Sequence, residues 1–222
     1  MRALTQAAVL SFVLSLPLLV GCEQPAPDSS EVSSVEGASK SALFKSATLK
    51  SAAGATVARV VFTKFGHGVR VLVTATINFP GIRAGFHGMH IHANDNAANG
   101  VGCVADPAQP ANTHFVSADG HWNPTAVTHG AHAGDMPSPL VLADGSALLS
   151  FTNDIDLGAA DFVGRAIILH EGLDNFGNIP LTPAGGDPAA FPNAYTPNSA
   201  AALTLTQNTG NAGNRIGCGL IQ

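Results

Sequence analysis

His90 and His92, in the run Gly-Phe-His-Gly-Met-His-Ile-His from Gly85 to His92, are residues whose spacing could hold a metal. On an extended strand alternate side chains share a face, so the two imidazoles would project together while Met89 and Ile91 turn the other way. Two imidazoles without a thiolate suit Cu(II), Ni(II) or Zn(II) and do not suit Mg or Ca. Alone the pair is a weak signal, because exposed strand faces carry such pairs by chance. The chain adds more ligands: of its nine histidines, His114, His121, His129 and His132 follow in a short stretch with Asp119 and Asp135, and His170 ends an apolar run.

The elements that must hold these residues read as strands. In 222 residues, 45% hydrophobic and only 11% charged with 24 glycines and 14 prolines, the pattern is of short strands and many turns. We expect one all-β domain. Residues 55–63 and 69–77 are β-branched runs joined by 64–68, a hairpin with His67 exposed in its turn. Phe79-Pro80-Gly81 breaks the second run before the histidine motif. Residues 140–142 and 146–151 flank Ala143-Asp144-Gly145, a tight turn, and 163–170 form an apolar strand. A Pro- and Gly-rich loop fills 172–200, residues 202–206 read as a last strand, and the chain closes through 210–221. The net charge of −5 and the lack of a basic cluster exclude a nucleic-acid partner.

The front end has a different character. Arg2 precedes an apolar stretch from 7 to 20, too short to be a preferred membrane span, which reads as an export signal over 1–21. Leu19-Val20-Gly21-Cys22 resembles the bacterial lipobox, which implies that Cys22 is lipidated and anchors the chain to the cell envelope on the periplasmic side. Glu23, in place of Asp, favours the outer membrane in a cell with two. Residues 22–42 are polar and aperiodic, a flexible tether that cannot bury enough surface to fold. The folded domain is expected over 43–222.

The ordered set His-Gly-Met-His-Ile-His, Gly-His-Trp-Asn-Pro, His-Gly, His-Ala-Gly-Asp, Gly-Arg-Ala-Ile-Ile-Leu-His-Glu and Gly-Asn-Ala-Gly-Asn-Arg-Ile-Gly-Cys-Gly resembles the copper/zinc superoxide dismutase family across the whole expected domain. The resemblance implies an eight-stranded Greek-key β-barrel or sandwich with long metal-binding and channel loops. It implies copper held by His90, His92, His121 and His170, and zinc held by His121, His129, His132 and Asp135, with His121 as the bridge. His87 matches a structural histidine that bonds to backbone, and His114 matches no ligand. Asp174 matches a carboxylate joining a copper histidine to a zinc histidine, Arg215 matches the arginine that guides the anion, and Cys103 and Cys218 match the intrachain disulfide.

The implied reaction converts two superoxide anions to dioxygen and hydrogen peroxide at a redox copper, with Arg215 and His121 as catalytic residues, and protects the envelope. A dismutase-like lipoprotein that sequesters copper without turnover is the alternative; it would need the ligands but not Arg215. The resemblance admits a homodimer without specifying one. The chain departs from the family pattern in the zinc loop, where only Gly130 and Ala131 separate His129 from His132. It departs again after Asp174, where Pro180, Pro183, Pro188, Pro192 and Pro197 crowd a segment with few charges, leaving anion steering to Arg215.

Overall fold

The structure, a computed structural model, describes residues 44–77, 82–159, 162–176 and 200–222. The expectations for the leader, Cys22, the tether, the 79–81 break and the five prolines fall outside the described residues. Eight strands are present: β1 (Phe44–Lys50), β2 (Thr56–Phe65), β3 (Gly68–Thr76), β4 (Gly85–His92), β5 (Leu140–Val141), β6 (Ser146–Asn153), β7 (Ala166–Leu173) and β8 (Arg215–Leu220). All pair antiparallel in the order β5-β4-β7-β8-β1-β2-β3-β6. The Leu142 N–H donates to Ser146 O at 2.8 Å, linking the two outermost strands and nearly closing a Greek-key barrel.

Alternation of side chains builds the interior. Along β3, Val69, Val71, Val73 and Ala75 are buried while Arg70, Leu72, Thr74 and Thr76 face outward. Val60 and Phe62 of β2 join them, and Phe162 meets the Phe62 ring edge-on at 5.2 Å. Each such side chain contributes roughly 1.5–3 kcal/mol of burial. The first hairpin turns at Gly66-His67, since Phe65 pairs with Gly68, and His67 is exposed as expected.

Four local expectations need revision. Residues 202–206 are not a strand: they lie in helix α1 (Ala200–Thr209). The Leu203 and Leu205 alternation that suggested a strand leaves both side chains nearly half exposed, while Thr206 is buried. Gly210 ends the helix at φ 60°, its N–H bonding to Thr206 O and that of Asn211 to Leu205 O. Strand β7 starts at Ala166 and not at 163, because Gly164 turns at φ 92° and gives its N–H to Ile221 O. It also runs on to Leu173, so the expected loop starts later. The turn at 143–145 needs a positive φ only at Gly145, and β5 forms its ladder with β4 rather than with β6. Strand β1, which the sequence reading passed over, completes the barrel between β8 and β2.

Candidate metal centre

Strand β4 supplies the first two histidines. Met89 and Ile91 enter the core, and His90 and His92 take the other face, all fully buried. A bulge between His87 and Met89 breaks the alternation. Gly88 sits in it because a Cβ there would lie 2.5 Å from the Ala212 Cβ and 2.9 Å from the His90 ring. His87 is therefore off the ligand face, its two ring nitrogens lying 3.1 Å from His170 O and 2.7 Å from Arg83 O. His114 is likewise occupied in its own loop, facing Asp106 O and Gln109 O.

His121 and His170 come to the same place from other elements. His121 bridges to His92 beside β4, and a second bulge, between Leu169 and His170, sets His170 opposite Arg215 on β8. In each of three rings one nitrogen is committed. His92 Nδ1–H donates to Asp119 O at 2.8 Å, His170 Nδ1–H to Gly213 O at 3.0 Å, and His90 Nε2–H to Asp174 Oδ2 at 3.0 Å. What remains is a set of buried nitrogens with no hydrogen-bond partner: His90 Nδ1, His92 Nε2, His121 Nε2 and His170 Nε2. The ligand atoms of these four residues lie within 4.8 Å of one another. Bare buried nitrogens are costly unless something fills the space between them, and four imidazoles suit copper. Burial holds His90 below its ordinary pKa and His92 and His170 well below it, and brings His121 down to about 3, so the rings are neutral and ready to ligate.

A second focus lies on the far side of the His121 ring. Asp135 Oδ1 is 3.0 Å from His121 Nδ1, 3.2 Å from His129 Nδ1 and 3.2 Å from His132 Nδ1. His121 Nδ1 and His132 Nδ1 are 3.1 Å apart. Three nitrogens and a carboxylate oxygen this close, with His129 Nδ1 buried and without a hydrogen bond, form a donor set suited to zinc. His90 also falls within 4.8 Å of His121, His129 and Asp135, but its Nε2 is committed to Asp174 and its bare Nδ1 belongs to the first set. The short His129–His132 turn works because Gly130 adopts φ 93° and the N–H groups of Gly130 and His132 both donate to Asp135 Oδ2.

Asp174 joins the two foci. Its Oδ2 takes the His90 proton and its Oδ1 lies 3.1 Å from His129 Nε2. Burial opposes the charges of this group, but hydrogen bonds from both histidines outweigh it and hold the Asp174 carboxyl below its usual range. For His129 burial acts downward, and the two carboxylates beside it, Asp135 in an ion-pair contact and Asp174 through a hydrogen bond, overcome it, raising the ring to about 9 without a metal. Asp135 is depressed in the same way.

Arg215 sits beside the first focus. Its guanidinium donates to Phe115 O and Asp119 O, both on residues with positive φ. Cys103 and Cys218 are joined as a disulfide, which ties the loop after β4 to β8. Sequence reading passed over three supports. Asp119, whose carbonyl receives both His92 and Arg215, was counted as an aspartate of the histidine-rich stretch and not for its main chain. The C-terminal end of α1 holds the loop of the second focus, His129 N–H donating to Gln207 O at 2.8 Å. Gly213, whose carbonyl fixes His170, carried no signal beyond being a glycine near the closing strand.

Residues 56–221 match the family described as copper/zinc superoxide dismutase. A protein of Mycobacterium tuberculosis named superoxide dismutase [Cu-Zn] is 35% identical over 203 residues, covering 89% of this chain and 77% of that protein. Its namesake from Mycolicibacterium paratuberculosis is 33% identical over 201 residues, covering 88% and 81%. Among solved structures, the Cu/Zn superoxide dismutase of Brucella abortus aligns with a TM-score of 0.53 at 19% identity, over 81% of this chain and 99% of that one, a likeness of fold. A double mutant of a SOD-like protein from Bacillus subtilis aligns with a TM-score of 0.50 at 25% identity, over 79% and 95%.

Proposed function

The chain belongs to the copper/zinc superoxide dismutase family, and from that premise we propose that its two histidine foci are the copper and zinc sites of a working dismutase. The protein is an oxidoreductase with copper and zinc as cofactors. Two superoxide anions and two protons give dioxygen and hydrogen peroxide. The observation that carries the assignment is the set of four bare buried nitrogens next to a half-buried arginine. We assign copper to His90, His92, His121 and His170, and zinc to His121, His129, His132 and Asp135, with His121 shared.

Copper, when bound, supplies the one-electron acceptor and donor that zinc, having no accessible redox change, does not. The residues of the chain do the rest. Arg215 presents a fixed guanidinium that attracts the anion and hydrogen-bonds it at the pocket. His121 Nε2 faces the same space and is the atom at which a proton is held and given up as peroxide forms. Asp174 keeps the His90 and His129 rings in one orientation. The storage alternative has no use for Arg215, and the relatives carry the name of the enzyme.

The chain is also inferred to be an exported lipoprotein, anchored through Cys22 with residues 22–42 as its tether, so that peroxide and dioxygen are produced at the envelope. The supports are the apolar stretch over 7–20 and the Leu19-Val20-Gly21-Cys22 run. Stable anchoring takes more than one acyl chain. Partition of the mature protein into the detergent phase, abolished in Cys22→Ser, is expected; recovery of the wild type in the aqueous phase removes the anchor. For the activity, metal analysis and superoxide consumption are measured on one preparation. One copper and one zinc per chain with turnover are expected. Copper without turnover overturns the enzyme reading, and copper with turnover but no zinc overturns the zinc assignment.

A further inference from the structure

Asp119 faces two ways. Its carbonyl accepts from His92 Nδ1 and from Arg215 Nη2. Its carboxylate turns to the loop after β4: Oδ2 accepts the N–H groups of Asp95 at 2.8 Å and Asn96 at 2.9 Å, and Oδ1 accepts from Asn99 Nδ2 at 2.8 Å. The backbone there is at φ 64°, ψ −157°, a conformation glycine adopts freely and an aspartate does not. Three hydrogen bonds to one carboxylate hold the residue in that conformation and so fix the carbonyl that orients both partners. The same carboxylate places a negative charge on the residue whose carbonyl grips the Arg215 guanidinium.

We propose that the Asp119 carboxylate sets anion capture at the copper pocket: it locks the carbonyl that positions Arg215 and His92 while partly cancelling the attraction of the guanidinium for an incoming anion. The proposal rests on the superoxide reading of this site.

Position and charge are separable by substitution. Asp119→Asn and Asp119→Ser keep a neutral acceptor for the loop N–H groups and remove the charge. Asp119→Ala removes both. On the full copper- and zinc-loaded protein at low ionic strength, the neutral-acceptor variants are expected to raise kcat/KM about twofold or more and to raise the affinity for azide, read by its charge-transfer band on copper, by a similar factor. Both gains vanish at high salt. Asp119→Ala is expected to speed hydrogen exchange at the Asp95 and Asn96 amides in the metal-free protein and to change the Cu(II) EPR spectrum, which the Asn variant preserves. Unchanged azide affinity and rate in both neutral-acceptor variants overturn the charge role. Unchanged exchange and EPR in the Ala variant overturn the positioning role. Azide binding does not need turnover, so a wild type that binds azide but consumes no superoxide counts against the enzyme reading and leaves the Asp119 inference to its own result.

Discussion

The Cα of Gly210 packs directly against the carboxylate of Asp174: a Cβ on Gly210 would lie 2.1 Å from Asp174 Oδ1 and 2.5 Å from His129 Nε2. The residue also holds φ 60° at the end of α1. A helix terminus thus abuts the hydrogen bond between Asp174 and His129 that joins the two foci.

Gly210→Ala is expected to push Asp174 away from His129, with left-handed strain added, at a cost of about 2 kcal/mol or more in stability. Zinc affinity should fall by roughly tenfold or more while copper content changes less, because three of the four first-focus nitrogens do not depend on Asp174. Zinc and copper analysis after dialysis against a graded chelator checks this.

Asp174→Asn replaces an acceptor for two rings by an amide that can serve one well. A loss of about 10- to 100-fold in zinc affinity is expected. Competition with a colorimetric zinc chelator measures it, and wild-type affinity would remove Asp174 from its joining role.

Arg215→Ala is expected to lower kcat/KM more than about tenfold and to flatten its dependence on ionic strength, since the guanidinium is the local attraction for the anion. Arg215→Lys should retain part of the salt dependence, yet it presents a point charge and not a planar fork to the Phe115 and Asp119 carbonyls. Stopped-flow rates across a salt series separate the two.

Without metal, His129 stands at about 9 against an ordinary 6.5. Its contribution to stability is complete below about pH 6.5 and is lost as pH rises through about 9. Asp135 and Asp174 are depressed, so theirs is present above the ordinary carboxylate range and lost as pH falls below it. His90, His92, His121 and His170 are held below their ordinary value, so the stability they confer is lost as pH falls below about 6.5, and thermal unfolding of the metal-free protein should peak near pH 6.5 and fall on either side. His129→Gln should remove the alkaline decline. Zinc uptake at pH 7 should release a proton, measurable by titration calorimetry in buffers of different ionisation enthalpy.

Reduction of Cys103–Cys218, which spans 115 residues, is expected to cost up to about 4–5 kcal/mol in the chain-entropy model. Because Cys218 and Arg215 share β8 and the loop carrying Cys103 packs at Phe115, the paired serine variant should lose rate as well as melting temperature.

How much of this was readable before folding depends on where each function is carried. The period of two in a strand made the His90 and His92 pair plain, and the density of histidines around Asp135 marked the second focus by residue type. Helix α1 was hidden because Leu203 and Leu205 alternate as strand residues do, although neither is buried. Strand β1, Phe-Lys-Ser-Ala-Thr-Leu-Lys, has too few apolar residues to stand out from the polar tether before it. Asp119 and Gly213 act through main-chain carbonyls, which every residue possesses, so no side-chain pattern announces them.

The partners of the ring nitrogens also divide the two sites by their tolerance of change. His92 and His170 are oriented by the carbonyls of Asp119 and Gly213, and a carbonyl survives any substitution that preserves the path of the chain. The second focus is oriented by two carboxylates, Asp135 and Asp174, each of which one codon change can delete. A single side-chain change at Asp174 therefore releases His90 and His129 together, while His92 and His170 stay held by the main chain.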